Sequence, residues 1–161
     1  MPPADETDRA VRRLQADYWA RVDDLDPAAP DALFTDDCVF ELGSLTLRGR
    51  GEIAAFFRRR QEQSAASGRV TRHLPANLRL DLVDARTVSA FSTVMVMSGH
   101  GPLPIASGLP SVGDFEDLCV RADDGRWLFA RRKATSVFAG PDAAAFARAA
   151  PAPADANGDR A

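Results

Sequence analysis

A chain of 161 residues with 45% hydrophobic residues is long enough to bury one core and short for two ordinary domains. With 20 basic and 23 acidic side chains the formal net charge is −3, and only Arg58-Arg59-Arg60 and Arg131-Arg132-Lys133 cluster, so the electrostatic footprint of a nucleic-acid partner is missing. No run approaches the ~18 apolar residues of a membrane span, and Met1-Pro2-Pro3-Ala4-Asp5-Glu6 lacks the basic and apolar regions of a secretory leader; the expectation is a cytoplasmic protein with no membrane partner. Cys38 and Cys119 stand far apart without metal-ligand spacing, which reads as reduced core thiols.

Val11, Leu14, Tyr18, Val22 and Leu25 recur at three- and four-residue steps, marking one apolar stripe on a helix that starts after Thr7 or Asp8. Pro27 and Pro30 interrupt it, a short second helix is expected over Asp31-Ala32-Leu33-Phe34, and 38–42 reads as a strand. Gly43-Ser44 turns the chain into a brief strand at 45–48. Gly49 and Gly51 then open a helix with Ile53, Phe56 and Phe57 on its apolar face, ending near Ser67-Gly68. From Val70 the period changes to two, with strands expected over 70–83, 86–98, 114–122 and 126–138 and hairpin connections at Asp84-Ala85 and Asp123-Asp124-Gly125. Segment 86–98 carries Val88, Ala90, Val94 and Val96 on one face and Phe91, Met95 and Met97 on the other, the pattern of a strand covered on both sides. The Gly- and Pro-rich stretch 99–111 reads as a long loop suited to a lid. Segments 1–7 and 140–161 read as disordered tails around a domain at 8–138. Helices first and antiparallel strands afterwards give an α+β layout.

Tyr18 and Asp23 near the end of the first helix, with His73 in Thr71-Arg72-His73, offer a proton donor, a carboxylate and an imidazole, enough for acid–base chemistry without a cofactor. On a continuous helix Tyr18 and Asp23 lie roughly 140° apart. They converge only if the helix loosens near Val22, which the downstream Asp26-Pro27 favours. Asp24 leaves a second carboxylate to choose from. Strand alternation puts His73 and Asn77 on one face and Leu74, Leu78, Leu80 and Leu82 on the other, unless Pro75 marks a bulge. Each residue also has a structural use: Tyr18 as core, Asp23 as a cap, Arg132 and Asp117 as an ion pair. Two histidines 27 positions apart, with no HxH or Cys pair, give no metal site, and the absence of glycine-rich phosphate fingerprints gives no nucleotide cofactor.

Tyr18-x4-Asp23, Leu33-Phe34-Thr35-Asp36-Asp37-Cys38-Val39-Phe40, Gly49-x-Gly51-Glu52-Ile53, Thr71-Arg72-His73-Leu74-x-x-Asn77, and Asp124-Gly125-Arg126-Trp127 with Arg132 together resemble the SnoaL-like branch of the NTF2-like superfamily over about residues 8–138. The resemblance implies a cone-shaped α+β barrel, a strongly curved, mostly antiparallel sheet wrapped around the N-terminal helices, with a deep apolar pocket and a homodimer formed through the convex sheet face. The family includes polyketide cyclases, scytalone and bile-acid dehydratases, ketosteroid isomerases, epoxide hydrolases and proteins with no catalytic role, so fold does not decide function. Its dehydratase pattern implies Tyr18, Asp23, His73 and Arg132 as catalytic residues. Trp19, Phe57, Asn77, Phe91, Met95 and Asp117 are the expected substrate contacts. The function expected is a cofactor-independent dehydratase, isomerase or cyclase for a hydrophobic cyclic or polyketide-like metabolite. The alternatives are a non-catalytic binding or assembly subunit, or an epoxide hydrolase built on Arg132 and Asp117.

Overall fold

Helix α1 (Ala4–Val22) starts a turn earlier than the sequence suggests, with Asp5 and Glu6 in its first turn, where carboxylates offset the helix dipole. The computed structural model describes residues 4–106 and 108–148. The α1 stripe is buried at Val11, Leu14, Tyr18, Trp19 and Val22, whereas Leu25, expected to extend it, lies past the helix end and is 62% exposed. Asp24 adopts a left-handed φ of 56°, and the Leu25 and Asp26 amides both donate to the Ala20 carbonyl, at 2.8 and 3.2 Å. This left-handed stop uses up the orphan carbonyls of the last turn. The expected second helix is a single 3-10 turn at Pro30–Leu33.

Strands β1 (Phe34–Leu42) and β2 (Leu45–Arg48) form a hairpin, followed by α2 (Gly49–Ser67), which Gly68 ends in the left-handed conformation. Four long strands follow: β3 (Arg69–Asp84), β4 (Thr87–His100), β5 (Ser111–Arg121) and β6 (Trp127–Phe138). The six strands make one sheet in the order β2-β1-β6-β5-β4-β3. Every neighbouring pair is antiparallel except β1 with β6. The sheet is curved and open rather than closed, with β2 and β3 as its edges. β4 and β5 run into the expected 99–111 loop from both sides and leave only 101–110 as connection.

The helices lie on the concave face, where Phe34, Phe40, Ile53, Val88, Val94, Phe115 and Phe129 join the α1 stripe in one core. β4 is covered on that face only: Val88, Ala90, Ser92 and Val94 are buried, while Met95 on the opposite face is 43% exposed. The expectation of cover on both sides fails within the single chain. Phe91 instead lies under the Arg79 guanidinium, 4.7 Å from the ring centre.

The β3 bulge sits at Asn77-Leu78, not at Pro75. Pro75 pairs with Val94 in register, whereas Asn77 and Leu78 together face Ser92; Asn77 takes a left-handed φ of 55°. Pro75 is tolerated because β3 is an edge strand. The extra residue inverts the facing of the strand. Thr71 and His73 face the core side through their partners Ser98 and Val96, and beyond the bulge so do Leu80 and Leu82 through Ala90 and Val88. The expected leucine face is therefore split, and Asn77 is exposed.

Residues 140–148, expected within a disordered tail, run back across the open end of the core. The short helix α3 (Ala145–Arg148) sets Phe146 against Phe56, ring centres 6.0 Å apart, and the Phe146 carbonyl accepts from the Ser44 amide at 3.2 Å. Gly43 is needed there, since its φ is +60° and a Cβ would fall 2.0 Å from the Phe146 carbonyl oxygen.

Arg132 on β6 is wholly buried and pairs across the ladder with Asp117 on β5. Its Nε lies 3.2 Å from Asp117 Oδ1, its Nη2 donates to Gln15 Oε1 at 3.0 Å, and Gln15 Nε2 donates to Asp117 Oδ2 at 2.7 Å. The guanidinium also sits 4.0 Å from the Tyr18 ring centre and 4.4 Å from that of Phe129. A buried charge pair of this kind is destabilising once one partner is lost. Arg132→Met should lower unfolding free energy by about 3–5 kcal/mol in urea titrations, and the double variant Arg132→Met/Asp117→Leu should recover most of it.

Candidate active site

The end of α1 meets the start of β3 at one carboxylate. Asp23, the first residue beyond the helix, is buried. Its Oδ1 lies 2.6 Å from His73 Nδ1 and accepts the Thr71 hydroxyl at 2.8 Å, and its Oδ2 accepts the His73 backbone N–H at 2.7 Å. The helix loosens after Val22, as the convergence of Tyr18 and Asp23 requires. Between the two candidate carboxylates, Asp23 meets His73 and Asp24 is exposed.

Arg60 orders this contact from behind. Its Nη2 donates to Thr71 Oγ1 at 2.9 Å and its Nη1 to the Val22 carbonyl at 2.6 Å. With one lone pair of the threonine engaged, its hydroxyl proton points to Asp23. An ionised Asp23 then places the imidazole proton on Nδ1 and leaves Nε2 as the free base. Trp19 stacks on the imidazole, ring centres 4.6 Å apart at 17°, and fixes its plane.

Burial works against charge on Asp23, but His73, through side chain and backbone, and Thr71 outweigh it and hold the carboxyl below its ordinary range. For His73 burial prevails: it lowers the imidazole pKa below its usual value despite the pull of Asp23, and Arg60 and Arg69 push the same way as burial. The pair is therefore carboxylate and neutral imidazole at neutral pH. Burial raises Tyr18 to about 12, so the phenol keeps its proton and acts only as a donor. Burial likewise raises the Asp117 carboxyl, against Arg132 and Gln15.

Tyr18, Trp19, Phe57 and His73 border a cavity of about 140 Å³ that opens toward residues 142–147, with Phe40, Phe56, Val96 and Phe115 among its apolar walls. That is room for one ring at the base, with the open side free for more. Arg132 and Asp117 do not border it; Arg132 reaches it only through the Tyr18 ring it supports. Asn77, Phe91 and Met95, expected as substrate contacts, lie outside it, Asn77 at the bulge and the other two on the convex face. The Arg132–Asp117 pair is joined by an amide, Gln15, and no second carboxylate completes an epoxide-hydrolase set around it among the described residues. No metal-holding cluster of His, Cys, Asp and Glu occurs among them either, and no helix is long and apolar enough to cross a membrane.

Three residues of this arrangement were missed in the sequence, and each carried a signal. Thr71 is two residues from His73 and so shares its face. Arg60 continues the Ile53, Phe57 face at helical spacing, and Gln15 falls on the α1 stripe beside Leu14 and Tyr18. A polar side chain on an apolar stripe is buried with a partner.

Solved structures with the same fold include a proposed scytalone dehydratase from Novosphingobium aromaticivorans, 25% identical, TM-score 0.68, covering 81% of this chain and 83% of that one. ActVI-ORFA from Streptomyces coelicolor is 22% identical, TM-score 0.72, over 84% of this chain and 98% of the other. A type 2 hexachlorocyclohexane dehydrochlorinase (LinA) is 19% identical, TM-score 0.69, over 84% and 88%. No curated protein matches the chain. The model of the SnoaL-like domain matches residues 5–133, a span that takes in α1, the Asp23–His73 contact and the sheet, and the chain belongs to this SnoaL-like family within the NTF2-like superfamily.

Proposed function

We propose that this protein is a cofactor-independent lyase or isomerase that abstracts a proton beside a carbonyl of a hydrophobic cyclic, polyketide-type metabolite, with dehydration as the favoured outcome and ring closure or double-bond migration as variants on the same first step. The observation that carries the reading is the Asp23–His73 contact at 2.6 Å, which backs a histidine that borders a largely apolar cavity together with Tyr18. The likeness to a proposed scytalone dehydratase supports the same class.

The proposed steps use each group of the site in turn. His73 Nε2 takes the proton from the carbon next to the carbonyl. Tyr18 donates a hydrogen bond to the carbonyl oxygen as enolate charge develops, a contact of the kind that contributes about 3 kcal/mol where water is excluded. Asp23 keeps the proton on Nδ1 and stabilises the imidazolium. The enolate electron pair then forms the new double bond and expels the β-hydroxyl, which leaves as water with the proton that His73 returns. Arg132 acts as a positioning residue under Tyr18. The exposed Leu74, Met95 and Leu118 of the convex face are the surface on which the expected second copy would dock.

The test is turnover of β-hydroxy-ketones on one or two fused rings, followed by the ultraviolet absorbance of the conjugated product. His73→Ala, shown to be folded, should lose activity by about 10²–10⁴-fold; turnover equal to wild type removes the acid–base reading. Because the base must be neutral and its pKa lies below the ordinary 6.5, kcat/KM should fall on acidification along a limb whose midpoint lies below about pH 6.5. An acid limb centred above that value contradicts the assignment.

A further inference from the structure

Arg69, Thr71 and His73 occupy alternate positions of β3, and all three border the cavity. Successive same-face residues of a strand are ~6.6–6.8 Å apart, so the row runs from the base at His73 outward to Arg69 at the strand's first residue. Thr71 is spoken for by Asp23 and Arg60. Arg60, the other guanidinium on the cavity wall, spends its donors on Thr71 and the Val22 carbonyl. Arg69 makes no side-chain hydrogen bond or ion pair among the described residues, although it is half-buried against the cavity. An arginine carries five donors in a planar fork suited to a carboxylate. One left idle in the cavity wall is a binding group awaiting its ligand.

We propose that Arg69 is a specificity residue that anchors a carboxylate of the substrate toward the open side of the cavity, while the substrate ring lies at the base against Trp19 and His73. The inference rests on the cavity being the substrate site, and it adds the substrate class: a cyclic ketone bearing a carboxylate side arm set off from the reacting carbon. The charged groups acting on Arg69 are Arg60 and Asp142. Arg60 lends a second positive charge to the ligand, whereas Asp142, on the segment that crosses the opening and borders the same cavity, favours the charge on Arg69 and opposes an anionic ligand. Asp142 is also the competing explanation, because Arg69 could serve only to hold that segment.

Two near-isosteric probes separate these roles, 2-naphthoate and its neutral counterpart 2-naphthamide, with affinities measured by calorimetry. The wild type should bind naphthoate at least about tenfold more tightly than naphthamide, as a desolvated charge-assisted fork requires. Arg69→Met should abolish that preference and leave naphthamide binding unchanged, Arg69→Lys should keep part of it, and Asp142→Asn should leave naphthoate binding equal or stronger. Equal affinity of the wild type for both probes, binding of neither, a preference that survives Arg69→Met, or equal weakening of both probes in Arg69→Met and Asp142→Asn overturns the proposal. Failure of the anchor is thus read by binding alone and stays distinct from failure of the acid–base chemistry, which is read by turnover.

Discussion

Everything in the candidate site depends on where α1 stops. One more helical turn would carry Asp23 around the axis, away from Tyr18 and from β3. The left-handed Asp24, one residue after the carboxylate, stops the helix at Val22, so that Asp23 turns inward and accepts from the His73 side chain, the His73 amide and the Thr71 hydroxyl. One carboxylate thereby joins helix to sheet, fixes the register of the β3 start beneath the helix and sets the histidine tautomer. The cost of burying its charge is offset by three donors.

Behind this contact lies a second polar cluster in the core, Arg132 with Asp117 and Gln15. It adds no group to the cavity wall, but the guanidinium under the Tyr18 ring holds the phenol where it borders the cavity. In the proposed reaction the two clusters divide the labour: Asp23, Thr71 and Arg60 prepare His73 as the base, and Arg132 with its partners holds Tyr18 as the donor. Burial then tunes both, lowering the imidazole so that it is neutral and raising the phenol so that it keeps its proton.

The layout of helices followed by strands was legible because period and punctuation are local. The switch at Gly68, the Gly43-Ser44 turn and the loosened helix near Val22 each followed from a few adjacent residues. The bulge was not. Pro75 looked like the irregular point, yet an edge strand accepts proline and the extra residue sits at Asn77-Leu78, where side-chain alternation gives no warning. That shift removed Asn77 from the expected substrate contacts and split the leucine face. Phe91 and Met95 were misplaced because an apolar residue on a two-faced strand does not declare which face meets the helices. The segment 140–148 reads as part of a tail of Ala, Pro, Asp and Gly, and its order depends on Phe146 meeting Phe56, a long-range contact invisible in composition.

Whether Asp23 and His73 act as one unit is decided by NMR titration of His73 in wild type and Asp23→Asn, with His100→Gln used to assign the resonance. The wild-type pKa should lie below 6.5 and fall further when the carboxylate is neutralised, since Asp23 is the group that favours the imidazolium. A His73 pKa unchanged by Asp23→Asn in a folded protein would contradict the coupling and with it the assignment of the base.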